Sequence, residues 1–208
     1  MISGAQALER LREGNGRFVA SIRDAASSLD AERRARLAAG QEPFAIVLGC
    51  SDSRVPAELV FDQGFGDLFV IRVAGNIVAP SQVGSVEFAA ERFGTPLVVV
   101  LGHSQCGAIL ATLEQVRRPS PAAGRNLRSI VDRIRPSVEP LVRRAAGAED
   151  SAVLVGAAVR ANIRAAAEHL RTGSEILERL VAAGKLCVVG AEYSLESGVV
   201  DFFDGVPD

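Results

Sequence analysis

The stretch "TPLVVVLGHSQCGAI", residues 95–109, decides the fold. Leu97 to Leu101 form an unbroken apolar run. A strand with no polar face is buried on both sides, which is the situation of strands in a parallel sheet. The run stops at Gly102, and His103 and Cys106 follow at once in an H-x-x-C pair. Just before it, "SQVGSVEFAAERFG" predicts a helix with Ser81 as N-cap and Gly94 as its stop. Just after it, a second helix starts near Cys106 and runs to about 117.

Working outward, strand and helix patterns keep alternating. "FAIVLG", residues 44–49, reads as the first strand. "AELVFDQG" reads as a short helix closed by Gly64, and "DLFVIRVAG" as a strand over about 67–73. Toward the N-terminus, Ala7, Leu8, Leu11, Phe18 and Val19 recur near helical spacing over 4–20. A polar, Ala- and Arg-rich helix is predicted over 27–39, ending at Gly40. Beyond "RRPSPAAGR", which Pro119, Pro121 and Gly124 break up, helices are expected over 125–146, 150–170 and 174–183. "KLCVVGAEY" is the last clear strand, and "GVVDFFD" adds a terminal edge. The pattern implies an α/β fold with a mostly parallel central sheet of four to five strands flanked by helices. Without a repeat or an internal shift of composition, residues 1–208 read as one domain, with 1–40 as an N-terminal helical arm.

Composition narrows the function. The chain has 208 residues, 48% hydrophobic and 23% charged, the profile of a globular domain. A net charge of -2 gives no basic surplus for nucleic-acid phosphates. No apolar run reaches the roughly 20 residues of a membrane span. The charged N-terminal stretch "MISGAQALERLREGNGRFVA" lacks the apolar centre of a signal peptide, so a cytoplasmic location is expected. The three cysteines, at 50, 106 and 187, form no disulfide ladder, and in a reducing compartment thiols beside His and Asp point to metal or catalysis.

Cys50, His103 and Cys106 suit zinc, which takes thiolate sulfur at about 2.3 Å and imidazole nitrogen at about 2.0–2.1 Å in a tetrahedral set. Cys50 and His103 each follow a strand that closes on Leu-Gly. In an open parallel sheet, groups at the carboxyl ends of strands flanking a switch in strand order line the functional crevice. Three ligands leave one position for water or substrate, the pattern of a catalytic ion. Cys187, within "LCVVG", reads as a buried inert thiol, and His169 as a helix-end residue. Asp52 and Arg54 are two apart beside Cys50, close enough to pair in a tight turn. An exposed pair of this kind contributes less than about 1 kcal/mol. Near a metal, Arg54 would instead keep Asp52 ionised and aimed, so that Asp52 accepts a hydrogen bond from water on the ion.

The blocks "CSDSRVPAE", "GDLFVIRVAGN", "GSVEFA" and "VVVLGHSQCGA" resemble, in order and spacing, the motifs of the β-class carbonic anhydrases. The resemblance is specific from Gln41 to Cys106 and looser out to "GAEYSLESG". It implies zinc on Cys50, His103 and Cys106, an Asp52–Arg54 dyad, and reversible hydration of carbon dioxide to bicarbonate and a proton. By the same resemblance Gln41 hydrogen-bonds substrate, Phe69 and Ala74 wall the pocket, and the Gly107 amide faces substrate. Phe88 stands where related members often carry tyrosine. It also implies a homodimer, or a dimer of dimers, with active sites at the subunit interface. Some members bind bicarbonate at a separate site of tryptophan, arginine and tyrosine; Arg72 and Tyr193 match, but Val47 replaces the tryptophan, so bicarbonate-gated closure is expected to be weak or missing. Two alternatives stand beside this reading: hydrolysis of carbonyl sulfide or carbon disulfide on the same scaffold, and a catalytically silent zinc-bearing bicarbonate sensor.

Overall fold

Strand β3 (Leu97–His103) lies at the centre of the sheet, where its uninterrupted apolar run belongs. The computed structural model describes residues 2–21, 31–119, 124–145 and 151–207. Among these, β1 (Ala45–Gly49), β2 (Leu68–Arg72), β4 (Cys187–Tyr193) and β5 (Val200–Asp204) complete a five-stranded sheet of order β2-β1-β3-β4-β5. The first four strands are parallel, and β5 returns antiparallel along β4.

Helices cover both faces, and the period-2 alternation of the strands divides the core in two. On one face Ile46, Leu48, Val98, Val100 and Val188 meet α4 (Pro80–Arg92), α5 (Gly107–Arg117), α6 (Arg125–Arg144), α7 (Ser151–Thr172) and α8 (Glu175–Ala182). On the other face Ala45, Val47, Leu97, Val99, Leu101 and Val189 meet α1 (Gly4–Val19) and α3 (Ala57–Val60). Helix α7 approaches the sheet most closely at two glycines. A Cβ at Gly102 would stand 2.5 Å from Ile163 Cδ1, and one at Gly190 would stand 2.8 Å from Ile163 Cγ2. Glycine is the residue that lets the helix lie against β3 and β4 at that point.

The first arm helix rests on its own sheet. A capping box between Ser3 and Gln6 starts α1, and Ala7, Leu8 and Leu11 bury into the second core cluster. Asn15 then fixes its far end: Nδ2 donates to the carbonyls of Val60 and Gly198 at 3.1 and 2.9 Å, and Oδ1 accepts from the Val200 amide at 2.9 Å. Helix α2 (Ala31–Leu37) is the described part of the second predicted arm helix, and Arg33 ties it to Asp67 at 2.7 Å. Residues 27–30 of that prediction, residues 120–123 of the Pro-rich break, and the predicted helix ends at 146 and 150 lie outside the described residues.

Three sequence expectations are corrected. Helix α4 begins at Pro80 with Ala79 as N-cap, two residues before the predicted cap Ser81. Proline suits the first turn because its missing N–H would have had no helical partner there. Gly94, at φ +64, does end the helix as expected. Helix α3 is a single turn that stops well short of Gly64, because Asp62 takes a left-handed conformation at φ +46. Cys187, expected to be buried, is half-buried and opens β4. Strand β2 stays within its expected bounds of about 67–73, and Ala74–Asn76 beyond it forms a 3₁₀ turn.

Candidate metal centre

Cys50 directly follows β1, His103 is the last residue of β3, and Cys106 is the N-cap of α5. From β1 the sheet is built outward to β2 on one side and to β3 on the other, so these strand ends flank the switch point. A tight turn with Gln105 at φ +55 carries the chain from His103 back to Cys106. The two sulfurs and an imidazole nitrogen all lie within 4.8 Å of one another. The three residues are 5%, 0% and 1% exposed.

The imidazole is poised to donate an electron pair. Its Nδ1 lies 2.9 Å from the Ser104 carbonyl oxygen. A carbonyl only accepts, so Nδ1 carries the proton and Nε2 keeps its lone pair. Ser104 is itself held, its amide donating to Tyr193 at 3.0 Å and its hydroxyl accepting from the Leu195 amide at 3.0 Å. Nε2 is buried and has no hydrogen-bond partner among the described residues. An orphaned polar atom in the core carries a desolvation penalty unless something binds it.

The sulfurs fit the same conclusion. The Cys106 thiol directed at Cys50 holds the Cys50 thiol well below the usual range. Burial opposes that shift, and the nearby His103 side chain, then the Gly75 amide at 3.4 Å from Sγ and the Asp52 amide, support it. Cys106 is pushed up by the same interaction and by its own burial, against the pull of the Ile109 and Ala108 amides at the start of α5. Two buried sulfurs beside a buried imidazole nitrogen without a hydrogen-bond partner among the described residues form a donor set for zinc. Zinc fits this pocket by chemistry and by spacing.

The dyad is assembled as the sequence predicts. Arg54 grips Asp52 in a fork: Nε donates to Oδ1 at 2.9 Å, Nη2 to Oδ2 at 2.8 Å, and the Arg54 amide adds a third bond to Oδ1 at 3.0 Å. These bonds, the side-chain ones first, hold the Asp52 carboxyl well below the usual carboxylate range. Oδ2 lies 3.8 Å from His103 Nε2, so the carboxylate faces the donor group. Arg72 braces the turn from β2, donating to the carbonyls of Cys50 and Asp52 at 3.1 and 2.7 Å. Val47 and Tyr193 are both buried in the second core cluster, and Arg72 is committed to the turn.

The predicted pocket residues fall into two groups. Ala74 and Gly107 adjoin the donors: Ala74 precedes the Gly75 amide that reaches Cys50, and Gly107 opens α5 next to Cys106. A Cβ on Gly75 would come within 3.0 Å of Ala108 Cβ, so the turn after β2 lies against the start of α5. Gln41, Phe69 and Phe88 gather instead around Phe93. The rings of Phe69 and Phe88 lie 6.2 and 5.6 Å from that of Phe93, and Gln41 shares a groove with Phe65 and Phe93. Phe88 is 54% exposed. Sequence reasoning missed Gly75 as a donor to Cys50; its signal was the Gly-Asn pair after β2, two residue types that accept left-handed backbone.

Comparison with known proteins agrees with this geometry. Residues 45–200 match the family model described as "Carbonic anhydrase". The chain is 39% identical over 192 residues to carbonic anhydrase 2 of Mycobacterium tuberculosis, covering 92% of this chain and 89% of that one. It is 40% identical over 195 residues to the carbonic anhydrase of Mycolicibacterium smegmatis, covering 94% and 91%. Among solved structures, the β-carbonic anhydrase CcaA superposes with a TM-score of 0.73 at 28% identity, covering 96% of each chain. A tetrameric β-carbonic anhydrase of Sordaria macrospora shares the fold, with a TM-score of 0.74 at 24% identity over 82% of this chain and 85% of that one. Two buried cysteines, an imidazole whose Nε2 has no hydrogen-bond partner among the described residues, and these matches converge: the chain belongs to the β-class carbonic anhydrase family.

Proposed function

We propose that Cys50, His103 and Cys106 hold the zinc ion of this carbonic anhydrase, and that Asp52, aimed by Arg54, positions the water that attacks carbon dioxide. The enzyme hydrates carbon dioxide reversibly to bicarbonate and a proton. The observation that carries the assignment is the buried, unpartnered His103 Nε2 beside two buried sulfurs. Zinc, when bound, lowers the pKa of a coordinated water toward neutrality and so supplies a nucleophile near pH 7.

The protein's own groups do the rest. Asp52 Oδ2 accepts a hydrogen bond from the attacking water and turns its lone pair toward substrate. Arg54 occupies both carboxylate oxygens, which keeps Asp52 ionised and stops it rotating. Because the folded pKa is lowered, the pair's stabilisation of the turn is complete above the ordinary carboxylate value of about 3.9, and it fades only as pH falls below that toward the folded value. The first amides of α5, Gly107 included, present partial positive charge to the oxygens of carbon dioxide and bicarbonate. Ala74 supplies an apolar wall next to the donors.

Gln41, Phe69 and Phe88 are assigned to the substrate pocket through a second copy of the chain. Exposed Phe65 and Phe88, with half-buried Phe69 and exposed Gln41 beside them, make a patch at the β2 edge, and a patch of that kind is a surface that association covers. A homodimer, or a dimer of dimers, would bring that patch over a neighbouring metal centre, with bicarbonate and carbon dioxide as the small-molecule partners. Three free thiols fit a reducing, cytoplasmic setting.

Stopped-flow carbon dioxide hydration run beside carbonyl sulfide hydrolysis tests the reading. The zinc-loaded enzyme is expected to hydrate carbon dioxide in the range of efficient enzymes, about 10⁴–10⁸ M⁻¹s⁻¹ in kcat/KM, with carbonyl sulfide turned over far more slowly. Preferential turnover of carbonyl sulfide would overturn it.

A further inference from the structure

Asn162 sits inside the apolar stripe of α7, between Val159 and Ala166, and is 4% exposed. It does not touch the donors. Its Nδ2 donates to the Gly75 carbonyl at 2.9 Å, and the Gly75 amide donates to Cys50 Sγ at 3.4 Å. We propose that Asn162 is a positioning residue that holds the Gly75 N–H on the Cys50 sulfur and thereby sets how strongly that sulfur binds zinc. The proposal rests on Cys50 being a zinc ligand.

Only the φ and ψ of Gly75 separate the amide that reaches Cys50 from the carbonyl that Asn162 holds. Glycine has the least intrinsic preference for any φ and ψ, and here it is left-handed at φ 70, ψ 20. The next residue, Asn76, is left-handed too, at φ 43. The Asn76 amide closes the turn on the Val73 carbonyl at 3.0 Å, but that bond leaves the Gly75 carbonyl without a partner inside the turn, so its orientation is set by contacts from outside. Packing supplies part: a Cβ on Gly75 would lie 2.8 Å from Ile134 Cδ1. Packing blocks bulk but does not orient a peptide; the Asn162 bond does. Without it the Gly75 carbonyl is a buried, unpaired acceptor and turns to find a partner, and that rotation carries the N–H away from Cys50.

The neighbouring residue strengthens the argument. Ile163 lies against Gly102, one residue before His103. Two consecutive residues of α7 therefore fix the two halves of the donor set: Ile163 through the strand that ends in His103, and Asn162 through the turn that reaches Cys50. An N–H···S bond draws charge from a thiolate, so losing it makes the sulfur more electron-rich, which the charge-transfer band reads. Losing it also releases the sulfur from its position, and for zinc affinity the lost orientation outweighs the gained basicity.

Two variants of the full-length enzyme separate positioning from bulk packing. Asn162→Leu keeps the volume and loses the donor, while Ile163→Val trims the packing and keeps the donor. With cobalt(II) in place of zinc, Asn162→Leu is expected to move the sulfur-to-metal charge-transfer band to lower energy. Zinc affinity by chelator competition should weaken by roughly 10–100-fold, and Ile163→Val should change neither. An unchanged band and affinity in Asn162→Leu, or equal shifts in both variants, would overturn the proposal. A second measurement needs no variant. In the wild-type protein loaded with ¹¹³Cd, a scalar coupling from the metal to the Gly75 amide proton is expected, and its absence overturns the proposal even if Asn162→Leu does not fold. Wild-type protein that binds no metal would overturn the site assignment itself, whereas normal metal binding with an indifferent Asn162→Leu would overturn only the role of Asn162.

Discussion

His103→Ala is expected to yield folded protein that carries no zinc and hydrates carbon dioxide at the uncatalysed rate, a loss of at least about a thousandfold. The expectation follows from the donor count. Three buried atoms within 4.8 Å make the site, and two sulfurs without the imidazole leave an incomplete tetrahedral set. Removing the ring also exposes the Ser104 carbonyl that now accepts from Nδ1, so circular dichroism and a urea transition must confirm the fold beside the metal content. Cys187→Ala is the matched control. That thiol is half-buried at the start of β4, its pKa raised by burial, and it is not a member of the donor group. It should leave zinc and rate unchanged. Full zinc and a wild-type rate in His103→Ala would remove His103 from the site.

Asp52→Asn and Arg54→Ala are each expected to slow hydration by roughly a hundredfold or more while keeping zinc. Asparagine preserves the shape of Asp52 but offers one acceptor where the carboxylate offers two, and its amide donates where the water needs an acceptor. Arg54→Ala leaves Asp52 charged but unaimed. Because Arg54 acts through Asp52, the two losses should not add: the double variant should be about as slow as the slower single one. Arg54→Lys should fall between, since an ammonium restores the charge but not the fork. Losses that multiply in the double variant would show two independent roles, and a wild-type rate in either single variant would remove the dyad from the mechanism.

Much of the site was legible because its donors sit at the ends of strands that announce themselves. Leu97–Leu101 could only be a central strand, and the H-x-x-C pair follows it without a gap. Asp52 and Arg54 were legible for the same reason, since a two-residue separation after β1 leaves them on one turn. What escaped were contacts carried by backbone. No side-chain pattern marks the Gly75 N–H as a donor to Cys50, and the turn that aims it is held from a helix 87 positions away. Asn162 did leave a trace, as a polar residue at an apolar position of an Ala-rich helix, but a single amide in such a stripe has many possible partners. Ser81 was misread as the N-cap because hydroxyls favour that position, whereas Pro80 had already fixed the first turn one residue earlier. The residues assigned by resemblance divided along another line. Ala74 and Gly107 lie beside the donors, but Gln41, Phe69 and Phe88 surround Phe93, and the geometry between chains is not written in the periodicity of one.

The central claim is that two sulfurs and one imidazole of this chain hold zinc. X-ray absorption at the zinc edge of the purified, zinc-loaded enzyme tests it directly. The account predicts two sulfur neighbours at about 2.3 Å with the remaining shell of nitrogen or oxygen at about 2.0–2.1 Å, and loss of one sulfur in Cys50→Ser. A zinc shell without sulfur, or one with two sulfurs unchanged in Cys50→Ser, would contradict it.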